Sequence, residues 1–131
     1  MLRNAKKPLL RKEREKMAEL FECRRLQASD YELIRGFKAA HENGQGLEIY
    51  LKRSALADEA ENLMRTYVVT DTITGEFVAY FSLKAGFISI SEKPHLFIRP
   101  ADFNSLPAIE LANFGVNGAY KSAHSSPFLF A

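Results

Sequence analysis

One cysteine, Cys23, is all that this chain of 131 residues carries. It cannot close an internal disulfide, so nothing calls for an oxidising compartment. No apolar run approaches the roughly 18–20 residues that cross a bilayer. The basic first ten residues lack the long apolar core of a secretion signal. Glycine and proline are not in excess, at seven and five residues, and there is no internal repeat or low-complexity tract. The three histidines, His41, His95 and His124, stand far apart, without metal-ligand spacing to Cys23 or to carboxylates, which argues against a zinc site. Gly44-Gln45-Gly46 is not a dinucleotide fingerprint, because Ile49 holds the place of the third glycine. These absences leave a cytoplasmic protein with no metal and no membrane contact as the expectation.

What remains is an ordinary globular composition, 47% apolar and 26% charged, which argues against a mostly disordered chain. The length fits one domain with a real core. Charge is uneven: residues 1–25 carry a net +5 and the remainder a net −3. Pro8 suits a first helical turn, and Leu9–Leu20 reads as an amphipathic helix with Leu10, Met17 and Phe21 near one stripe. Arg11 with Glu15, and Glu13 with Lys16, stand at pairing distance. Acidic residues interleave the basic ones and no aromatics are interspersed for base stacking, so nucleic acid is disfavoured as a partner.

Phe21–Gln27 reads as a first strand, which makes Cys23 a buried, inert thiol by expectation. Ser29-Asp30-Tyr31-Glu32 has the form of a capping box, followed by a helical stripe of Leu33, Ile34 and Phe37. His41–Gly46 breaks that helix. Leu47–Arg65 is the longest helical pattern, with Leu56, Ala60, Leu63 and Met64 on one face and Asp58, Glu59 and Glu61 outside it. Thr66–Thr70 is a strand, 71–76 a turn, and Phe77–Leu83 a central return strand. Phe87–Ile90 extends it beyond a kink or bulge at Gly86. Residues 91–105, with Pro94 and Pro100, read as a long irregular connection.

The organising stretch is Leu106–Asn117, an apolar run opened by Pro107 with one acid, Glu110, inside it. A run of that kind reads as a strand buried on both faces. A carboxylate there needs a partner or a chemical task. The structural alternative for Glu110 is solvation at a splayed edge, or a pair with Arg65 or Arg99.

This order of elements resembles the acyl-CoA-dependent N-acetyltransferases of the GNAT superfamily over residues 20 to 121. The likeness is carried by Tyr67-Val68-Val69 and Tyr80-Phe81-Ser82-Leu83 around the turn Asp71–Glu76. It is also carried by Leu106–Asn117 with Tyr120 after it, which looks like the family's central strand and its L-A-V-x-x-x-Y ending. The resemblance implies an α/β (α+β) fold with a mixed, mostly antiparallel sheet and helices on both faces. Its parts would be a basic N-terminal helix at 1–20, the GNAT-like domain at 21–121 and a tail at 122–131. It implies acetyl-CoA as co-substrate, held by the backbone of Phe114, Gly115 and Val116 where the central strand splays from its neighbour. It implies Glu110 as general base toward an amine on a small molecule or protein, with backbone donors stabilising the oxyanion. The family's glycine-rich pyrophosphate turn has no counterpart, since 120–128 holds no glycine. No residues are left for the later strands, nor for a general-acid tyrosine. The expectation is therefore a truncated member, weakly active or inactive alone. The competing reading is an interaction protein that dimerises or pairs through its exposed central strand.

Overall fold

The structure, a computed structural model, describes residues 11–89 and 105–124, without the side chains of 16–18. Pro8, Leu10, Ile90, residues 91–104 and residues 125–131 lie outside it, as do the side chains of Lys16 and Met17. In chain order come α1 (Arg11–Leu20), β1 (Phe21–Arg25), a 3₁₀ turn (Ala28–Asp30), α2 (Tyr31–Arg35), α3 (Gln45–Arg53), α4 (Ala55–Ala60), β2 (Arg65–Asp71), β3 (Phe77–Ser89), β4 (Ser105–Val116) and α5 (Gly118–Ala123). The four strands form one sheet in the order β1-β2-β3-β4, and every pairing is antiparallel.

The α+β architecture read from the sequence is present, with helices on both faces. On one face Ile34, Phe37, Leu51 and Ala55 from the α2–α4 region pack on Leu26, Val68, Phe77 and Tyr80. Phe37 is the hub, its ring 5.5 Å from Phe77 and 5.2 Å edge-on from Tyr80. On the other, Tyr120 of α5 packs with Val78 and Ala79. The Asp71–Glu76 turn forms as read: Asp71 Oδ1 accepts the amides of Ile73 and Thr74 at 2.8 and 3.1 Å. β3 is internal, also as read, and runs to Ser89. It pairs with β2 only as far as Leu83, while its ladder with β4 continues to Ser89 opposite Ser105. The irregularity in that ladder lies at Ser82/Leu83, not at Gly86, which pairs regularly with Ala108.

Several local readings are corrected. The long helix at 47–65 is two helices broken at Ser54, and it stops early because Asn62 takes a left-handed φ of 60°. Ala60 and Leu63 are exposed. The acids placed on the solvent side instead tie α4 to its neighbours. Tyr50 donates its hydroxyl to Asp58 at 2.9 Å. Glu59 accepts the Thr66 amide at 3.0 Å and is paired with Arg25 and Arg65. The capping box at Ser29 and Glu32 does not form. Asp30 does that work, accepting the Gln27 amide at 2.7 Å and both Arg24 terminal nitrogens at 2.9 and 2.8 Å, while Glu32 pairs with Arg35. The helix carrying Leu33 and Ile34 ends at Arg35, before Phe37, so the connection to α3 starts and ends earlier than 41–46, and Gln45 and Gly46 open α3. Phe21 begins β1 instead of closing the α1 stripe, and Cys23 in β1 is exposed, not buried. The Arg11–Glu15 pair forms at 2.9 Å.

Among the described residues no helix is long and apolar enough to cross a membrane, and no three His, Cys, Asp or Glu residues gather as a metal would need.

The Arg24 guanidinium holds the Asp30 carboxyl below its ordinary range. Glu59 is pushed up by burial, but its hydrogen bonds from Arg25 and the Thr66 amide outweigh that and leave it lowered. Folded values below the unfolded ones mean stability that is present above about pH 4 and lost as pH falls through the folded values. Asp30→Asn is expected to cost about 1–3 kcal/mol at pH 7 and to flatten the loss of stability toward pH 3. Urea unfolding at the two pH values measures both.

Candidate functional site

β4 is built as an edge. Pro107 removes an amide that an internal strand would need, and no described strand lies beyond β4. Its expected burial on both faces is therefore wrong: Ile109, Leu111 and Phe114 are 77%, 58% and 53% exposed. Opposite residues in a ladder share a face. Phe81 faces Phe114, Leu83 faces Leu111, Ala85 faces Ile109 and Phe87 faces Pro107. Together they form an apolar stripe on the face turned away from α2–α4.

Glu110 is on β4 opposite Lys84, whose ammonium stands 3.6 Å from its carboxylate. Its side chain is 58% exposed, so the desolvated acid inferred from the sequence is not found. The edge strand leaves that carboxylate in solvent. Its partner is Lys84, not Arg65, which is engaged by Glu59 and Asn62; Arg99 lies outside the described residues.

The three backbone positions expected to hold the cofactor arm differ from one another. The Val116 carbonyl points away from β3, because it accepts the Ala40 amide at 2.9 Å. Alternation in an antiparallel ladder then turns the N–H and C=O of Phe114 outward too, and those of Gly115 toward β3. Phe114 thus presents a donor and an acceptor with no partner among the described residues. Val116 has its carbonyl in use, and Gly115 is internal. Gly115 serves packing instead: a Cβ there would lie 3.1 Å from Phe37 and 3.2 Å from Tyr80.

The segment on the edge at Val116, Lys38–Ala40, was not foreseen. It bridges Ala39 to Asn117, and the Gly118 amide donates to the Lys38 carbonyl at 2.6 Å. Glu48 of α3 holds its middle residue, accepting the Ala39 amide at 2.9 Å. The sequence did carry one trace of it. In sequence Gly44 reads as a loop residue, yet a Cβ there would fall 2.4 Å from the Ala39 Cβ. An open cavity of about 680 Å³ lies alongside, lined by Lys38–Ala40 and by Gly118, Ala119, Lys121 and Ser122.

α5 is pinned across the sheet end. Tyr120 is buried and donates to Asp71 at 2.7 Å, and burial with that carboxylate pushes its hydroxyl up to about 12. His124 stacks on Tyr120 and meets Glu76 at 3.0 Å.

No family model and no curated protein matches the sequence. Solved structures do match. A bacterial toxin aligns with a TM-score of 0.62 at 12% identity, over 85% of this chain and 60% of its own. KacT aligns at 0.59 and 16%, over 85% and 65%. AtaT complexed with acetyl-methionyl-tRNAfMet aligns at 0.57 and 15%, over 84% and 69%. AtaT and KacT are GNAT-family acetyltransferase toxins. The fold is the GNAT fold. At these identities the likeness is one of fold. The chain spans about 60% of the toxin's length and 65% of KacT's.

Within this GNAT fold, Gly44→Ala and Gly115→Ala each force a methyl into occupied space and are expected to destabilise by about 1–3 kcal/mol. Thermal unfolding of the two variants measures this; unchanged melting would mean that the 37–40 segment is not packed as described.

Proposed function

We propose that the chain serves acyl transfer from acetyl-CoA to an amine. The observation that carries this is the GNAT fold with the outer edge of β4 turned to solvent at Phe114. The outward N–H and C=O of Phe114 suit an amide-bearing pantetheine arm. The cavity by Gly118, with Lys38 and Lys121 on its walls, suits the anionic end of the cofactor. When bound, acetyl-CoA supplies the activated thioester.

Glu110 is the proton acceptor in this reading. Four residues upstream of Phe114 on the same strand, its solvated carboxylate can take a proton from an incoming ammonium directly or through water. Lys84 holds it in place until then. The acceptor class is an amine on a small molecule, on a protein or on an aminoacyl-tRNA; the AtaT complex with acetyl-methionyl-tRNAfMet motivates the last. The cytoplasm, which supplies acetyl-CoA, is the compartment this reading implies.

The apolar stripe of Phe87, Ile109, Leu111 and Phe114 favours a second reading, an interaction protein that pairs through β4. Acetyl-CoA titration by calorimetry on the full chain separates the two. The first reading expects saturable binding, and transfer to a tested amine that falls about 10²–10⁴-fold in Glu110→Gln with donor affinity kept. The second expects no binding heat and a dimer by sedimentation that Leu111→Lys dissociates.

A further inference from the structure

We propose that Lys38–Ala40 is an internal competitor for the β4 edge, displaced when an acyl-CoA arm binds. The inference rests on the acyltransferase reading and adds a gate to it. Along β4 and into α5 the order is Phe114, then Val116 with Ala40 bonded to it, then Gly118 at the cavity. An arm running from the cavity to Phe114 must pass Val116. There the carbonyl that would accept an arm amide already accepts the Ala40 N–H at 2.9 Å.

The bond is one of a set. Gly118 N–H to the Lys38 carbonyl, at 2.6 Å, closes the far side of the same bridge. Glu48 caps Ala39 at 2.9 Å and so fixes the segment to α3. Asn117, between the two bridge bonds, is tied to the sheet: its amide donates to the Val78 carbonyl at 2.8 Å and its side-chain nitrogen to the Phe77 carbonyl at 2.9 Å, while its Oδ1 accepts the Lys38 amide at 3.4 Å. The strand side of the bridge is therefore anchored in the sheet. Apart from its bonds to the strand side, the segment depends on Glu48 and on the fit of Ala39 against Gly44. If the bridge opens, Lys38–Ala40 moves and Val116 stays.

A pantetheine arm donating to the Val116 carbonyl replaces the Ala40 donor, and its bonds to the N–H and C=O of Phe114 offset the loss of the Lys38 bonds to Gly118 and Asn117. The exchange is thus near balance in hydrogen bonds, and weakening the segment's hold raises donor affinity. Removing one hydrogen bond of ordinary strength, about 0.5–1.5 kcal/mol, corresponds to an increase of roughly 2- to 10-fold.

Hydrogen exchange and calorimetry on the full chain test this with acetyl-CoA as the probe. The expected results are protected amides at Ala39, Ala40 and Gly118 in the free protein, and faster exchange at 39–40 with slower exchange at Phe114 at saturating acetyl-CoA. Glu48→Ala, which leaves β4 untouched, binds acetyl-CoA 2- to 10-fold more tightly. Ala40→Pro, which deletes the competing donor, shifts affinity the same way, with circular dichroism confirming that each variant folds. Unchanged or greater protection at 39–40 together with wild-type affinity in Glu48→Ala would overturn the gate and leave the acyltransferase reading standing. No acetyl-CoA binding by wild type or either variant would overturn both.

Discussion

The close approach of residues 37–40 to the end of β4 is the constraint on which the rest of the molecule depends. Phe37 lies under Gly115 and makes the aromatic centre of the core with Phe77 and Tyr80. The next three residues cross over the strand edge and bond to 116–118. From there the chain must enter α3 at once, and Gly44 clears the space for it. One passage of chain thereby joins the helical layer to the sheet, sets where α3 begins and shapes the cavity beside α5.

Charge does comparable work where it is least exposed. Asp30 draws the β1–α2 corner together through Arg24 and the Gln27 amide. Glu59 gathers α4, β1 and β2 on one carboxylate. The buried hydroxyls of Thr66 and Ser82 satisfy each other at 2.9 Å, and no described buried side-chain nitrogen or oxygen is left without a partner. Burial of polar groups on these terms costs little.

The elements that could be read from the sequence are those whose signal is local. The β2–β3 hairpin carries its own turn chemistry in Asp71–Glu76, and the β4 run is long and apolar, so both were legible within a residue or two. The site was not read as well, because its geometry depends on neighbours far along the chain. An apolar strand looks the same in sequence whether it is covered or forms an edge; only Pro107 hinted at the edge. Glu110 could not be placed in solvent without knowing that. Asp58 and Glu59 looked like solvent-side acids because helical periodicity does not know about the break at Ser54 or the return of the chain at Asn62. The bridge at Ala39–Asn117 spans most of the fold and had no periodic signature at all.

The β3–β4 ladder outlasts the support of β2, which ends at Leu83. From Lys84 onward the two strands pair, among the described residues, only with each other, and a lone pair of strands twists strongly and is marginally stable by itself. Resistance to fraying therefore declines from rung to rung toward Ser89 and Ser105. Glu110 and Lys84 occupy the first rung past the supported part. The carboxylate is thus mounted at the root of a springy blade, where the anchored sheet still dictates its position while the rungs beyond it, out to Ser89 and Ser105, can flex.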